Sequence, residues 1–552
     1  MRTLHIVEAM LRWPTATLFE GITDVAAEHS NNPALIVNDK ELTYGDLLER
    51  SRSLASGLTE LGISANDTIA VWLGNRPEWI ITQLAASYLG VAVVAVNTRY
   101  RRHELEYMLS DSGARLIVTE TSFLGTDYLD MLADIIPEIE DSSPEAFDPD
   151  SVDALTEIIA LESDEAYPAT REFEAVLTDG QAKTAPEPQT DHELPVTIFY
   201  TSGTTGDPKG CLHDSRSVLN HSYQIGEHFD IDPNDIGLTL MPFCGIMGYN
   251  YILSVLTHGA TAIVQPYFDA NRTTENIDAH SVTYCSGTDA MFTRMISTDA
   301  FDSAVAESLH RGATFFANGY EEDTFERIEA AVDFPIVQPY GLSEANTQIF
   351  VGDPDDPQVQ RKRVGGPLIH PEQESARIID PESSEKLPPG EQGELQLKGY
   401  NVLTSYLDKP EKTAESIVDG WLYTGDLCER DKNNYFYFHS RLDDALRVRG
   451  FLVSARDIEQ AIDAHNFVEQ SQVVGAPHPR HGEVPVGFLK LRNSVTMDKL
   501  NEYLSEQIAD YKQPEELIIV EEFPRIDGPH GKKIQKSRLR EQVSDRYTEV
   551  DT

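Results

Sequence analysis

The sequence predicts an α/β fold, with parallel βαβ units in its amino-terminal part and a small α+β unit at its end. Between Thr17 and Val118, helical stretches such as Tyr44–Leu61 alternate with β-branched runs at Thr68–Trp72, Val91–Val96 and Leu116–Thr119. Apolar Val196–Tyr200 reads as a buried strand that delivers a glycine-rich loop at its carboxyl end, where sheets of this class bind ligands. After Arg441 the pattern changes: Ile458–Ala464 and Met497–Ala509 read as helices, Gln472–Val474 and Gly487–Leu491 as strands.

A chain of 552 residues exceeds one compact core, so at least two domains are expected. Trp79–Val96 is an apolar run of membrane-spanning length, but Thr82, Gln83 and Ser87 interrupt it and Gly90 divides a helical half from a Val-rich half. A buried helix and strand is the expectation. Pro137 to Leu194 is rich in Asp, Glu, Ser and Pro, and is expected to be an acidic, partly mobile insertion over about 137–194.

Ninety-two acids against 44 bases give a formal charge of −48. Such a surface argues against nucleic acid and against anionic membranes as partners. The acids are spread along the whole chain, as in proteins adapted to high salt, where the Debye length is only about 3 Å at 1 M. A halophilic source is expected. Cys211, Cys244, Cys285 and Cys428 are far apart and form neither a metal pattern nor a disulfide framework, which points to a reducing, cytoplasmic setting. The amino terminus has no clear apolar signal region with a small-residue cleavage site.

The most informative run is Tyr200–Gly210, YTSGTTGDPKG. Gly203, Gly206 and Gly210 allow close backbone approach to an anion, Thr201, Ser202, Thr204 and Thr205 offer hydroxyls, and Lys209 offers a cation. The spacing excludes the P-loop of nucleotide hydrolases, because Pro208 precedes the lysine and Gly210 follows it. This run resembles the TSGTTGxPKG signature of the adenylate-forming enzymes, the superfamily of acyl-CoA synthetases, adenylation domains and luciferases.

Further motifs follow in the family's order. Tyr340-Gly341-Leu342-Ser343-Glu344 resembles YGxTE, which implies an aromatic face for adenine and an acid for Mg²⁺. Trp421–Asp426 resembles GWxxTGD, implying that Asp426 accepts the ribose hydroxyls, and Arg441 matches the arginine of GRxDD, with Ser440 where glycine is common. Val364–Leu368 and the stretch from Gly393 through Tyr406 to Ala414 match two further segments. Upstream, Leu42–Tyr44, Asn75–Trp79 and Asn97–Tyr100 look most like acyl-CoA synthetases. Near the end, Gly531-Lys532-Lys533-Ile534 resembles the GKI segment that carries the catalytic lysine. Alignment from the right selects Lys533 and alignment from Gly531 selects Lys532; the intact register of Ile534, Lys536, Leu539 and Arg540 favours Lys533.

The resemblance implies a large, multi-subdomain amino-terminal domain with mostly parallel sheets over 1–440 and a mobile α+β lid over 441–552, with a hinge near Asp443. It implies that ATP is held by Thr201, Ser202, Gly203, Thr204, Thr205, Gly206 and Lys209, together with Asn318, Gly319, Tyr340, Gly341, Ser343, Asp426 and Arg441. Thr201 and Glu344 would hold Mg²⁺, Lys533 would attend the reacting carboxylate, and Arg449, Gly450 and Phe451 would line the path of CoA. The products would be an acyl-adenylate with pyrophosphate, then acyl-CoA with AMP. The alternatives are an adenylation enzyme that loads a carrier protein and a non-catalytic nucleotide-binding relative, the latter opposed by the complete motif set.

The acyl site departs from common patterns. Met241–Gly248 leaves Gly245 where a histidine or aromatic gate is usual, Ala317–Glu321 replaces a GGAP-type segment, and Ser215 stands near a common histidine. Phe243, Ile246, Met247 and Phe316 favour a fatty, branched or aromatic acid over acetate. The expected partner is a small carboxylic acid, and the oligomeric state, monomer or homodimer, is left open by the sequence.

The melting temperature should fall as salt is lowered from molar to low millimolar concentration; a melting temperature that stays flat or rises over that range contradicts the high-salt reading of the charge.

Overall fold

The computed structural model describes residues 11–552 except residue 163, the stretches 202–207, 316–322, 449–450, 479–481, 509–511 and 529–530, residue 545, and 547–552. Contacts divide the chain into two compact units. The first comprises Met1–Lys362, Pro367–Ser375 and Lys398–Ile417; the second comprises Arg363–Gly366, Ala376–Leu397 and Val418–Thr552.

An eight-stranded sheet organises the first unit, in the order Ser405–Tyr406, Lys209–Asp214, Pro195–Thr201, Ala92–Ala95, Thr68–Trp72, Leu116–Thr119, Glu157–Ala160 and Thr170–Glu172. From Pro195–Thr201 onward the strands are parallel, and the two before it are antiparallel. Successive residues of the central strands enter different cores: Ile69, Val71, Val93 and Val118 enter one, Ala70, Trp72, Val94 and Ile117 the other. Burial on both faces is why these strands read as continuous apolar runs rather than alternating ones. A second, six-stranded sheet runs Thr314–Phe315, Tyr284–Thr288, Ile236–Thr239, Thr261–Val264, Pro33–Val37 and Lys40–Thr43, parallel except for the terminal pair.

Local chemistry sets the helices. Thr43 and Asp46 close a capping box at the start of Tyr44–Glu60, and the buried Tyr44 hydroxyl donates to the Ala260 carbonyl at 2.7 Å. The membrane-length run resolves as expected into helix Pro77–Leu89 and strand Ala92–Ala95, separated by Gly90 at φ 74°. No described helix is long and apolar enough to cross a membrane.

The expectation for 137–194 needs correction. Glu157–Ala160 pairs in parallel with Leu116–Thr119 and sends fully buried Ile158 and Ile159 into opposite cores. Helix Phe173–Gln181 packs on Tyr44–Glu60 so closely that a Cβ on Gly180 would lie 2.0 Å from the Ser53 carbonyl oxygen. The acids around this short apolar run dominate its composition without altering where the run itself must go. Strands Glu157–Ala160 and Thr170–Glu172 extend the sheet, while residues 182–194 form no helix or strand and are mostly exposed.

The second unit holds most of a sheet ordered Gly365–Gly366, Phe436–Arg441, Trp421–Arg430, Gln392–Gly399 and Glu374–Ile379, whose first four strands pair antiparallel. It also holds a sheet of Phe451–Ser454, Ala445–Val448, Gly482–Leu491 and Val468–His478, which Glu516–Ile519 joins in parallel. Helices Ala455–Asp463 and Met497–Gln507 and the paired strands confirm the small α+β unit. Contact grouping assigns strands before residue 441 to this unit as well, because Trp421–Arg430 and Phe436–Arg441 pair with each other and with Gln392–Gly399.

Candidate active site

The glycine-rich loop leaves the sheet at Thr201 and re-enters it at Lys209, and these two residues face each other in antiparallel register. Both stems are pinned from below. The Tyr200 hydroxyl donates to Asp111 Oδ2 at 2.8 Å, Lys409 Nζ lies 2.9 Å from Asp111 Oδ1, and the Tyr107 hydroxyl donates to the Pro208 carbonyl at 2.9 Å. Burial and the Asp111 carboxylate push the Tyr200 phenol far above its ordinary range, so it stays a neutral donor. Ser202, Gly203, Thr204, Thr205 and Gly206 lie outside the described residues. Gly210 sits within strand Lys209–Asp214, where a Cβ would come 2.8 Å from Ile198 Cγ2. Its lack of a side chain serves packing.

Lys209 Nζ stands 4.8 Å from the centroid of the Tyr406 ring, and the Tyr406 hydroxyl donates to Glu344 Oε1 at 3.0 Å. A cation on an aromatic face and a charge-assisted hydrogen bond therefore meet on one side chain. Burial and the Glu344 charge hold the Tyr406 phenol well above its usual range. The backbone around it is stitched to both motifs: Leu403 N–H donates to the Glu344 carbonyl at 2.8 Å, and Leu407 N–H donates to the Gly210 carbonyl at 2.8 Å. Sequence reasoning named Tyr406 only within a matching stretch. The signal was its membership of that stretch; the contact itself spans 62 positions.

The Tyr340–Glu344 motif forms a tight turn. Tyr340 N–H donates to the Phe350 carbonyl and Ile349 N–H to the Tyr340 carbonyl, both at 2.8 Å. A Cβ on Gly341 would lie 2.2 Å from Gln348 N, so only glycine fits there. Tyr340 is 5% exposed, with Phe350 stacked beside it. The turn closes through Asn346, Thr347 and Gln348 at φ 59°, 56° and 42°, conformations that cost on the order of 1 kcal/mol each in L residues. Buried His213 offsets part of that cost: its Nε2 lies 2.8 Å from the Ser343 carbonyl and its Nδ1 3.2 Å from Asn346 Nδ2. This pairing requires the neutral imidazole with its proton on Nε2. Burial pushes its pKa down from 6.5 to about 4, against the opposing effect of the Ser343 carbonyl.

Thr201 and Glu344 supply one hydroxyl and one carboxylate. That hard, sparse donor set fits Mg²⁺ held largely by phosphate and water, and among the described residues no group of three His, Cys, Asp or Glu could cage a metal.

In the second unit, Asp426 is 3% exposed, stands opposite Arg441 in the sheet, and accepts from Arg441 Nη1 at 2.6 Å. Gly425 makes the preceding turn at φ 66°, its N–H donating to Glu394 Oε1 at 3.1 Å. Burial raises the Glu394 pKa, and Asp426 adds to the rise. Ser440, where glycine is common, is buried, and its hydroxyl has no hydrogen-bond partner among the described residues. Lys532 and Lys533 pair with Asp527 and Ile526 in a two-stranded hairpin, and Asp443 lies in the short helical turn Leu442–Asp444; the placement of these side chains lies outside the description. Asn318, Gly319, Arg449, Gly450 and Phe316 lie outside the described residues, and for Phe451 only the strand Phe451–Ser454 is defined. Phe243 and Ile246 belong to the main core, Phe243 packing edge-on to Trp79 at 5.9 Å.

Residues 22–407 match the family model of the AMP-binding enzyme, and residues 457–528 match that of the AMP-binding enzyme C-terminal domain. The chain is 28% identical over 544 residues to a putative acyl-CoA synthetase, YngI, of Bacillus subtilis, covering 96% of this chain and 98% of that one. It is 28% identical over 535 residues to the human mitochondrial medium-chain acyl-CoA ligase ACSF2, covering 92% and 85%. ATP-bound MatB from Rhodopseudomonas palustris superposes with a TM-score of 0.77 at 25% identity, covering 97% and 100%.

The buried His213 gives stability a definite pH dependence. As the unfolded chain binds a proton near pH 6.5 and the folded chain only near 4, stability is lost as pH falls through that window, by up to roughly 3 kcal/mol, and the loss levels off below it. Chemical denaturation of wild type and His213→Gln at pH 7.5, 6, 5 and 4 should show a difference that shrinks on acidification. A constant difference contradicts the buried neutral imidazole.

Proposed function

The chain belongs to the AMP-binding enzyme family, and from that premise we propose that it is an acyl-CoA synthetase that uses ATP to join a carboxylic acid to CoA through an acyl-adenylate. In the first half-reaction a carboxylate oxygen bonds to the α-phosphorus of ATP, the bond to the β-phosphate oxygen breaks, and pyrophosphate leaves. In the second, the CoA sulfur bonds to the acyl carbon, the thiol proton is lost, and AMP leaves.

The observation that best supports this reading is the Tyr406 bridge between Lys209 and Glu344, which ties a cation and an acid from two distant motifs to one ring. An anionic nucleophile must approach a phosphorus surrounded by negative oxygens, so oriented charges have to offset the repulsion before bonding begins. Lys209 and the 201–206 loop take the polyphosphate, and Tyr340, Gly341, Ser343, Asn318 and Gly319 take the adenine side. Magnesium held by Thr201 and Glu344 would neutralise phosphate charge. Asp426, its carboxylate fixed by Arg441, accepts the ribose hydroxyls. Lys533 attends the carboxylate, and alternation about Asp443 replaces it with Arg449, Gly450 and Phe451 for thioester formation.

A substrate class is suggested by the name of one relative. It is named a medium-chain acyl-CoA ligase, which supports a fatty acid and a role in fatty acid metabolism. All four cysteines are unpaired and buried, which accords with a reducing, cytoplasmic setting.

A panel of carboxylic acids offered with ATP, Mg²⁺ and CoA in molar salt should yield an acyl-CoA and AMP with at least one medium-chain acid. Lys533→Ala should abolish adenylate formation yet convert supplied acyl-adenylate to thioester. Acyl transfer only to a carrier protein would replace this reading, and equal loss in both half-reactions would remove Lys533 from its role.

A further inference from the structure

Three histidines on consecutive elements grip the segment that follows the Tyr340–Glu344 motif. His213 lies on strand Lys209–Asp214, and His221 and His228 lie one heptad apart on helix Ser215–His228. Their Nε2 atoms lie 2.8 Å from the Ser343 carbonyl, 2.7 Å from the Thr347 carbonyl and 3.1 Å from the Gly352 carbonyl. The turn between these carbonyls is the run of three left-handed residues, Asn346 to Gln348, which no glycine eases. Asn346 is wholly buried within it. Its Nδ2 meets His213 Nδ1, Ser217 Oγ and, at 3.1 Å, the Asn401 carbonyl, while its own carbonyl accepts from Asn250 Nδ2. Asn250 Oδ1 in turn accepts from Ser222 at 3.1 Å.

Glu344 sits inside this frame. The carbonyl before it is held by His213, its own carbonyl by Leu403 N–H at 2.8 Å, and the residue two positions on by the Asn346 cluster. Its carboxylate can swing only about side-chain bonds, and Tyr406 takes one of its oxygens. We propose that His213, acting with Asn346, is a positioning residue that fixes the Ser343–Asn346 turn and thereby aims the Glu344 carboxylate at the metal bound with ATP. The inference rests on the reading of Glu344 as a magnesium ligand. It assigns to strand Lys209–Asp214 two tasks at once: Lys209 at its start meets the polyphosphate, and His213 near its end sets the acid that meets the metal. Glutamine can present an N–H where histidine presents Nε2, whereas phenylalanine fills the same space with no donor, so the pair separates the hydrogen bond from the packing.

The test is the affinity for ATP by calorimetry in molar salt, with EDTA and with saturating Mg²⁺, for wild type, His213→Phe, His213→Gln, Asn346→Gly and Glu344→Gln. Magnesium should tighten ATP binding in the wild type, and His213→Phe should cut that gain about tenfold, the loss being confined to the magnesium-dependent part; His213→Gln should restore it to within about threefold. Asn346→Gly keeps the backbone freedom of the turn without its side chain and should lose the gain as His213→Phe does, which covers the case in which the phenylalanine variant does not fold. A gain that survives in His213→Phe or, if that variant is unfolded, in Asn346→Gly, while Glu344→Gln loses it, overturns the positioning role and leaves the metal reading standing. A gain that survives in Glu344→Gln overturns both.

Discussion

The contact on which the site's geometry depends is the double one made by Tyr406, whose ring carries the Lys209 ammonium and whose hydroxyl binds the Glu344 carboxylate. Without the tyrosine, a lysine and a glutamate 135 positions apart would have no common reference. The fold supplies that reference by adding two antiparallel strands, Lys209–Asp214 and Ser405–Tyr406, to the edge of an otherwise parallel sheet. The parallel strands bring the loop to their carboxyl end, and the added pair turns the chain back so that the lysine and the tyrosine meet.

Beneath this contact the interior is unusually polar. His213, His221, Asn250, Asn346 and Asn401 are all buried, and each makes at least one bond to backbone or side chain of another in the group or its surroundings. Such a network is stable only when its donors and acceptors are matched, and here the match runs to one conformation of the 343–352 segment. The match is not complete: among the described residues Asn346 Oδ1 is buried with no hydrogen-bond partner, and the buried Glu374 comes no nearer to His221 Nδ1 than 3.5 Å. The chain as a whole carries a net charge of −48, while Lys209 and Lys409 in the first unit and Arg441 in the second are each set against a ring or a carboxylate.

Much of the fold was legible because the strands that organise it are buried on both faces and so are written as short apolar runs; Thr68–Trp72 and Leu116–Thr119 match their predicted limits, and Gly90 ends its helix where the pattern breaks. The strand Glu157–Ala160 was hidden by composition, since two buried isoleucines cannot outweigh the acids around them in any average. Within the site, Lys209, Tyr340, Gly341 and Asp426 carry motifs readable from residue type and spacing alone. The roles of Tyr406, His213 and Asn346 depend on contacts between distant segments and on backbone dihedrals, neither of which spacing encodes. A glycine invites a left-handed turn openly; Asn346–Thr347–Gln348 adopts one only because its neighbours hold it there.

The central claim is that the lysine, tyrosine and glutamate act together on the polyphosphate of ATP. The most direct measurement is exchange of labelled pyrophosphate into ATP, in molar salt with Mg²⁺, for wild type and for Tyr406→Phe, which keeps the ring and removes only the hydroxyl. Exchange that requires an added carboxylic acid and falls about tenfold to a hundredfold in the variant, the loss expected for one hydrogen bond to a charged group, is the predicted result. No exchange with any acid, or exchange at the wild-type rate in Tyr406→Phe, would contradict it.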